Sequence, residues 1–79
     1  MKRLWTGKTA RQEVIAFASI RLRLNRHHGW TASDSVEHCL EGWENHSQGT
    51  IHYEIGRYVT GLSDAGYNRL CSEVKRAAK

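Results

Sequence analysis

The segment 10–24 carries apolar residues at the spacing of one α-helix face, and no other feature of the sequence constrains the fold as strongly. Ala10, Val14 and Phe17 begin this face, and Ile20 and Leu24 continue it. Residues three or four positions apart lie on the same side of a helix, so the spacing predicts a helix with a core-facing stripe. Further apolar residues widen the stripe: Ile15, Ala18 and Leu22. A face this broad needs neighbours on several sides, which predicts that this helix is central in the fold.

Local signals give the expected limits of this first helix. Thr9 followed three residues later by Gln12 fits a capping box, in which each side chain satisfies a free backbone amide at the helix start. At the other end, Gly29 follows three basic residues, which suit the negative end of the helix dipole. The sequence therefore predicts a helix capped by Thr9 and closed at Gly29. The stretch 20–24 also alternates like a strand, but the longer helical pattern around it outweighs this interpretation.

Glycine rather than proline separates the remaining segments, since the chain contains no proline. Asp34 followed by Glu37 has the spacing of a second helix start, although Thr31 or Ser33 is an alternative cap. The polar run 45–49 is expected to end this helix. Its apolar face is formed by Val36, Cys39, Leu40 and Trp43.

The segment 50–60 fits two kinds of secondary structure. Ile51, Ile55 and Val59 are spaced for a helix. Ile51, Tyr53 and Ile55 also alternate as in a strand, and the segment is rich in β-branched and aromatic residues. Gly56 weakens a helix here by about 1 kcal/mol relative to alanine. We nevertheless expect a helix, because a lone strand would have no partner strand elsewhere in the chain.

The last segment has clear helical signals. Ser63 is placed to cap it, and Leu62 before the cap is placed to pack on Tyr67. Its apolar stripe consists of Tyr67, Leu70, Cys71 and Val74. Together the segments predict an all-α fold, a compact bundle of about four short helices. We expect one helical domain over residues 9–79, preceded by a basic N-terminal arm over residues 1–8.

The chemistry-bearing residues do not form a known catalytic or metal-binding motif. The sequence has no Gly-rich phosphate loop, no Gly-x-Ser-x-Gly elbow and no His-Glu-x-x-His. Its five histidines and two cysteines lack the paired spacing of zinc ligands. A chain of 79 residues also has little room for a deep cleft. We therefore expect a binding protein rather than an enzyme, with no metal or other cofactor, and with Cys39 and Cys71 as reduced thiols rather than a disulfide.

The net charge of +4 favours an anionic partner, and nucleic acid (DNA or RNA) is the leading candidate. The second half adds a possible helix-turn-helix, with helices at 51–60 and 64–76 and a turn at 61–63. Asp64 would repel phosphate at the start of its second helix, so the match is partial and an ordinary helical hairpin is the favoured interpretation. The leading hypothesis is a non-enzymatic nucleic-acid-binding regulator. Its expected contact residues are Lys2, Arg3, Lys8, Arg11, Arg21, Arg23, Arg26, Asn68 and Arg69.

A protein partner is the alternative. Trp5 lies outside the periodic helices, so it is the best candidate for an exposed aromatic anchor. Glu37, Glu41 and Glu44 recur at helical spacing and form a candidate acidic interface. Size and composition of this kind are typical of phage and plasmid proteins. The alternative function is therefore a stoichiometric inhibitor of a larger host complex, anti-CRISPR-like or another anti-defence protein. A homodimer is compatible with both functions.

The sequence also predicts where the protein resides. The charged start Met1-Lys2-Arg3 is not followed by the apolar run of a secretion signal. The longest nearly apolar run, 14–20, is far too short to cross a membrane. We therefore expect a cytoplasmic protein that does not enter the membrane.

Overall fold

Helices account for most of the fold. The computed structural model describes the backbone of residues 7–79 and the side chains of residues 9–79. Within this range the elements are α1 (Gly7–Asn25), α2 (Ala32–Leu40), α3 (Ile51–Thr60) and α4 (Asp64–Ala77), with 3₁₀ turns at Arg26–His28 and Trp43–Asn45. The described residues contain no strand. The predictions of an all-α bundle and of a helical segment 50–60 are confirmed.

The central position of α1 is also confirmed. Helices α2, α3 and α4 each pack on α1, and α2 also contacts both α3 and α4. By contrast, α3 and α4 contact each other only marginally. The main core cluster is formed by Val14, Ala18, Leu22, Val36, Cys39, Leu40, Ile55, Val59, Leu70, Val74 and Ala78.

The face of α1 that is buried differs from the predicted one. The buried face is formed by Ala10, Val14, Ala18 and Leu22. Phe17, Ile20 and Leu24 were expected to face the core, but they are exposed. Three helices pack on α1, and small side chains on α1 allow their axes to approach closely. Ile20 and Leu24 consequently lie on the outer side of α1, while Phe17 lies at the border of that side, in a depression lined also by Ile51 and Ile55 of α3.

The helix starts follow the predicted chemistry with two corrections. The proposed capping box of Thr9 and Gln12 is wrong, because Thr9 lies inside α1. Helix α2 is capped by Thr31 rather than Asp34, and Asp34 is instead the third helical residue, whose carboxylate accepts from the Thr31 amide. Gly29 has a φ of 82°, in the left-handed region that glycine adopts without strain, and closes the first segment as predicted.

Helix α2 is shorter than predicted. It ends at Leu40, and Gly42 turns the chain with a φ of 71°. Trp43 therefore lies in a separate 3₁₀ turn rather than on the apolar face of α2. From there its ring contacts Tyr53 of α3 edge-on, with centroids 5.4 Å apart. The αL turn at Gly42 directs Trp43 towards α3.

In the second half, α3 and α4 pack mainly on α1 and only marginally on each other. Ser63 caps α4 as predicted, by accepting from the Gly66 amide at 3.1 Å. Gly56, in the middle of α3, is covered by the indole of Trp43 rather than by α4. Because α3 and α4 each pack on α1, their orientation depends on α1 and not on a direct contact between them. The segment is therefore two helices of the bundle joined by a short turn.

Candidate functional site

The C-terminal ends of α1 and α4 lie side by side. Arg23 donates from Nη2 to the carbonyl oxygen of Ala77 at 3.2 Å, and Arg26 donates from Nη2 to that of Ala78. The last carbonyls of a helix have no partner within it and form the negative end of its dipole. Arg23 near the end of α1 and Arg26 in the turn that follows it thus bond to the end of α4, more than 50 residues further along the chain.

Beside this junction lies a groove with a basic rim, which we call the basic groove. Its rim carries Arg26, Lys75 and Lys79, all three exposed. Its floor includes Leu22 and the half-buried Trp30. The open volume is about 460 Å³. Three cations around an aromatic ring can attract phosphates and offer a flat apolar surface to a base.

Asn68 and Arg69 lie on the part of α4 that leads to the basic groove. Asn68 is seven residues before Lys75, so both lie on one side of α4, about 10 Å apart along its axis. Asn68 and Arg69 are both exposed. Arg76, next to Lys75, is 71 % exposed and pairs with Glu73 at 3.2 Å. Asn68 therefore lies on the side of α4 that carries Lys75, whereas Arg69 lies about 120° around the helix from Lys75 and donates from Nε to the Ala65 carbonyl at 3.5 Å.

The predicted arginines of α1 do not share one surface. Arg23 and Arg26 lie towards α4, as described above. Arg21 instead donates from Nε to Nδ1 of His38 at 3.0 Å and from Nη1 to the Phe17 carbonyl at 3.2 Å. This places Arg21 against α2, where it borders a small depression with Cys39 and Ile55. Arg21 and Arg23 point to different neighbours because residues two positions apart on a helix are separated by about 200° around its axis.

The other predicted contact residues lie away from the basic groove or outside the residues that the structure describes. Arg11 is half-buried near the start of α1. Lys2, Arg3 and Trp5 lie outside the described residues, and so does the side chain of Lys8. The predicted basic arm and aromatic anchor therefore stay predictions.

The predicted acidic residues meet at a second surface, which we call the acidic depression. Glu37, Glu41 and Glu44 all line it, although α2 ends at Leu40 and the chain turns before Glu44. Asp34, which was not predicted as a site residue, joins them. The open volume is about 500 Å³. The molecule thus carries an acidic depression and a basic groove at different places.

The environments of the two thiols do not favour nucleophilic chemistry. Both cysteines are free. Burial raises the pKa of the Cys39 thiol more than nearby Arg21 lowers it, and burial likewise raises the pKa of Cys71. Since the thiolate is the nucleophile, a raised pKa makes both groups less reactive. Among the described residues, no group of three or more His, Cys, Asp or Glu is close enough to hold a metal ion.

In the basic groove, Lys75, Lys79 and Trp30 were not predicted as contact residues. In the sequence, Lys75 and Lys79 are simply basic residues near the end of the last helical segment, where positive charge suits the helix dipole. Trp30 is simply a residue of the connector that follows Gly29. The signal for this groove in the sequence is that basic residues lie near the C-terminal ends of both α1 and α4. That signal does not show that the two ends meet, because the meeting depends on how α4 packs on α1.

Comparison with protein-family models, with curated proteins and with solved structures finds no match to this chain. Within the described residues, no helix is both long enough and apolar enough to span a bilayer.

Proposed function

We propose that this protein is a non-enzymatic regulator that binds nucleic acid through the basic groove. The observation that carries the proposal is the convergence of Arg26, Lys75 and Lys79 around Trp30. Cations that converge from two helices neutralise neighbouring phosphates more effectively than cations spread over a surface. We place this activity in the cytoplasm, where free thiols such as Cys39 and Cys71 stay reduced.

The division of roles within the groove follows from its contacts. Arg26 already donates one hydrogen bond to Ala78, so its guanidinium is held in place while further N–H groups remain for a phosphate. Lys75 and Lys79 are exposed and contribute charge without a fixed geometry. Trp30 is the one aromatic ring of the groove, and a base that stacks on it would be bound without regard to sequence.

Fluorescence anisotropy with labelled single-stranded and duplex DNA and RNA tests this proposal. We expect binding to weaken steeply between about 50 mM and about 200 mM salt, because phosphate contacts release condensed ions. The double substitution Lys75→Gln/Lys79→Gln should weaken binding and make the salt slope shallower by nearly two units. Arg57→Gln removes an exposed positive charge from α3, away from the groove, and should leave the slope close to that of the wild type.

Tryptophan emission gives a second measurement of the same site. Binding should change the emission of the wild type, and Trp30→Phe should abolish most of this change although two other tryptophans remain. No anisotropy change with micromolar protein at about 50 mM salt would rule the proposal out. If the double lysine variant and Arg57→Gln lost the same amount of binding affinity, overall charge and not the basic groove would drive binding.

The acidic depression supports a second candidate function. Four carboxylates that line one depression can occupy a basic surface of a larger complex, as nucleic acid would. This role corresponds to a stoichiometric inhibitor of phage or plasmid origin that acts against a host defence complex. It predicts a stoichiometric partner in nuclease-treated host lysate that is lost with Glu41→Gln/Glu44→Gln and kept with Lys75→Gln/Lys79→Gln. Capture of no partner would count against it.

A further inference from the structure

One face of α1 exposes large apolar side chains. Phe17 is 37 % exposed, Ile20 is 51 % exposed and Leu24 is 66 % exposed. They lie three and four positions apart, so they form one continuous patch on a single helix. Exposed apolar residues are ordinary when they are scattered, but a contiguous patch of them marks an interaction surface.

Charged or titratable residues mark the two ends of this patch. Glu13 lies four residues before Phe17, and His27 lies three residues after Leu24, in the turn that follows α1. We call these five residues, 13, 17, 20, 24 and 27, the seam. Their alternating spacing of four and three is that of helices that pack lengthwise against another helix. The seam is thus apolar in its centre, acidic at one end and imidazole-bearing at the other.

The neighbouring arginines leave the centre of the seam uncharged. Arg21 is held by His38 of α2, and Arg23 is held by the carbonyl of Ala77 at the end of α4. Both guanidinium groups are therefore drawn towards other helices of the bundle. An arginine without a partner beside Ile20 would oppose burial of the patch, because its charge would lose water. Since both arginines are bonded within the bundle, a partner can cover the patch at lower cost.

We propose that a second copy of this chain packs on the seam, with the two α1 helices antiparallel about a twofold axis at Ile20. Position 20 is midway between Glu13 and His27, so this arrangement places Glu13 of each copy opposite His27 of the other. It also places Leu24 opposite Ala16, a small and exposed residue that leaves room for it. A parallel arrangement would instead place Glu13 against Glu13.

The symmetry of the seam is the reason to assign a second copy rather than another protein. A twofold interface requires one patch that is complementary to itself, with each group opposite its counterpart at equal distance from the axis. The seam meets this requirement at Glu13 with His27 and at Leu24 with Ala16, while Phe17 lies opposite Arg23, whose guanidinium is bonded to the Ala77 carbonyl. The dimer also leaves the basic groove open, because Leu22 on its floor lies about 200° around α1 from Ile20. The inference stands independently of the proposed function.

Sedimentation equilibrium over a wide range of protein concentration tests this dimer. The mass of the wild type should rise from 9.1 kDa towards twice that value as concentration rises. Ile20→Asp should raise the dimer Kd at least about thirtyfold, because the residue lies at the centre of the interface in both copies. Ser72→Asp adds the same charge at an exposed position on α4 and should leave the Kd unchanged. Circular dichroism checks that both variants keep their helices.

A charge exchange tests the antiparallel register. Glu13→Lys and His27→Glu should each weaken self-association, because each removes the opposed pair. An equimolar mixture of the two variants should associate more tightly than either variant alone, since the new lysine then faces the new glutamate. A wild type that stays monomeric, or a dimer that tolerates Ile20→Asp, would overturn the proposal. Failure of the mixture to associate would overturn the antiparallel register.

Discussion

Gly56 is the residue at which local preference and tertiary packing conflict most directly. Glycine within a helix costs about 1 kcal/mol relative to alanine. In this fold a methyl group at position 56 would overlap the ring and Cβ of Trp43. The missing side chain allows the indole to lie flat on α3, where it also meets Tyr53. The residue thus destabilises its own helix but permits the contact that attaches the turn Trp43–Asn45 to the bundle.

Gly56→Ala should therefore destabilise the protein despite the better helix propensity of alanine. We expect the free energy of unfolding to fall by about 1–3 kcal/mol, the usual cost of overpacking, as measured by urea denaturation. Gly66→Ala is a matched control in α4, because its Cβ would meet a flexible methyl group of Leu62 at 3.3 Å. That variant should unfold within about 0.5 kcal/mol of the wild type. A stabilised Gly56→Ala variant would contradict the close packing of Trp43.

At the scale of the element, the three helices whose N-caps the structure describes, α2, α3 and α4, begin with the same kind of cap. Thr31, Thr50 and Ser63 each accept a hydrogen bond from the backbone amide three residues ahead, at 3.1, 3.3 and 3.1 Å respectively. These bonds satisfy amides that have no partner inside the helix. Only the cap of α2 is reciprocal among these three, because Asp34 also accepts from the Thr31 amide at 2.8 Å.

Loss of the Thr31 cap should therefore cost more than loss of the Thr50 cap. We expect Thr31→Ala to lower the free energy of unfolding by about 1 kcal/mol or more, and Thr50→Ala by less, because no carboxylate reinforces its bond. Thermal unfolding followed by circular dichroism measures both changes. Thr31→Ser keeps the hydroxyl and should stay close to the wild type. Equal losses at Thr31 and Thr50 would show that the reciprocal bond adds nothing.

At the scale of the whole molecule, Tyr67 connects helices that are distant in the chain. From α4 its hydroxyl donates to Oε1 of Glu37 at 2.8 Å and lies 3.0 Å from Oγ of Ser33. Burial raises the pKa of Tyr67 from 10.0 to about 12, and the adjacent Glu37 carboxylate adds to the rise while the bond with Ser33 opposes it. The folded state therefore keeps a proton that the unfolded chain releases at lower pH.

This difference predicts a loss of stability in alkali. The contribution of Tyr67 to the free energy of unfolding is complete below pH 10.0 and declines up to about pH 12, because the unfolded state binds fewer protons than the folded state in that range. Urea unfolding at several pH values should show a steeper alkaline decline for the wild type than for Tyr67→Phe, which has no hydroxyl to titrate. Identical declines in the two proteins would show that Tyr67 ionises alike in the folded and unfolded states.

By itself the sequence determined which segments are helical and many of the positions where these helices begin and end. Periodicity and caps are local, because they depend on residues within one or two turns of each other. Ser63 and Gly29 therefore act as predicted, and the segment 50–60 is helical despite its β-branched residues. The acidic residues of the second segment also stay together, since residues 37–44 are close along the chain whether or not one helix carries them.

Only the tertiary structure decided which face of α1 is covered and which charges meet. Helix α1 has apolar residues on more than one side, and its periodicity does not show which side three other helices will cover. The packing buried Ala10, Val14, Ala18 and Leu22 and left Phe17, Ile20 and Leu24 exposed. The basic groove likewise joins Arg26 to Lys75 and Lys79 across about 50 residues. Contacts over such separations depend on how whole helices pack, which no local pattern encodes.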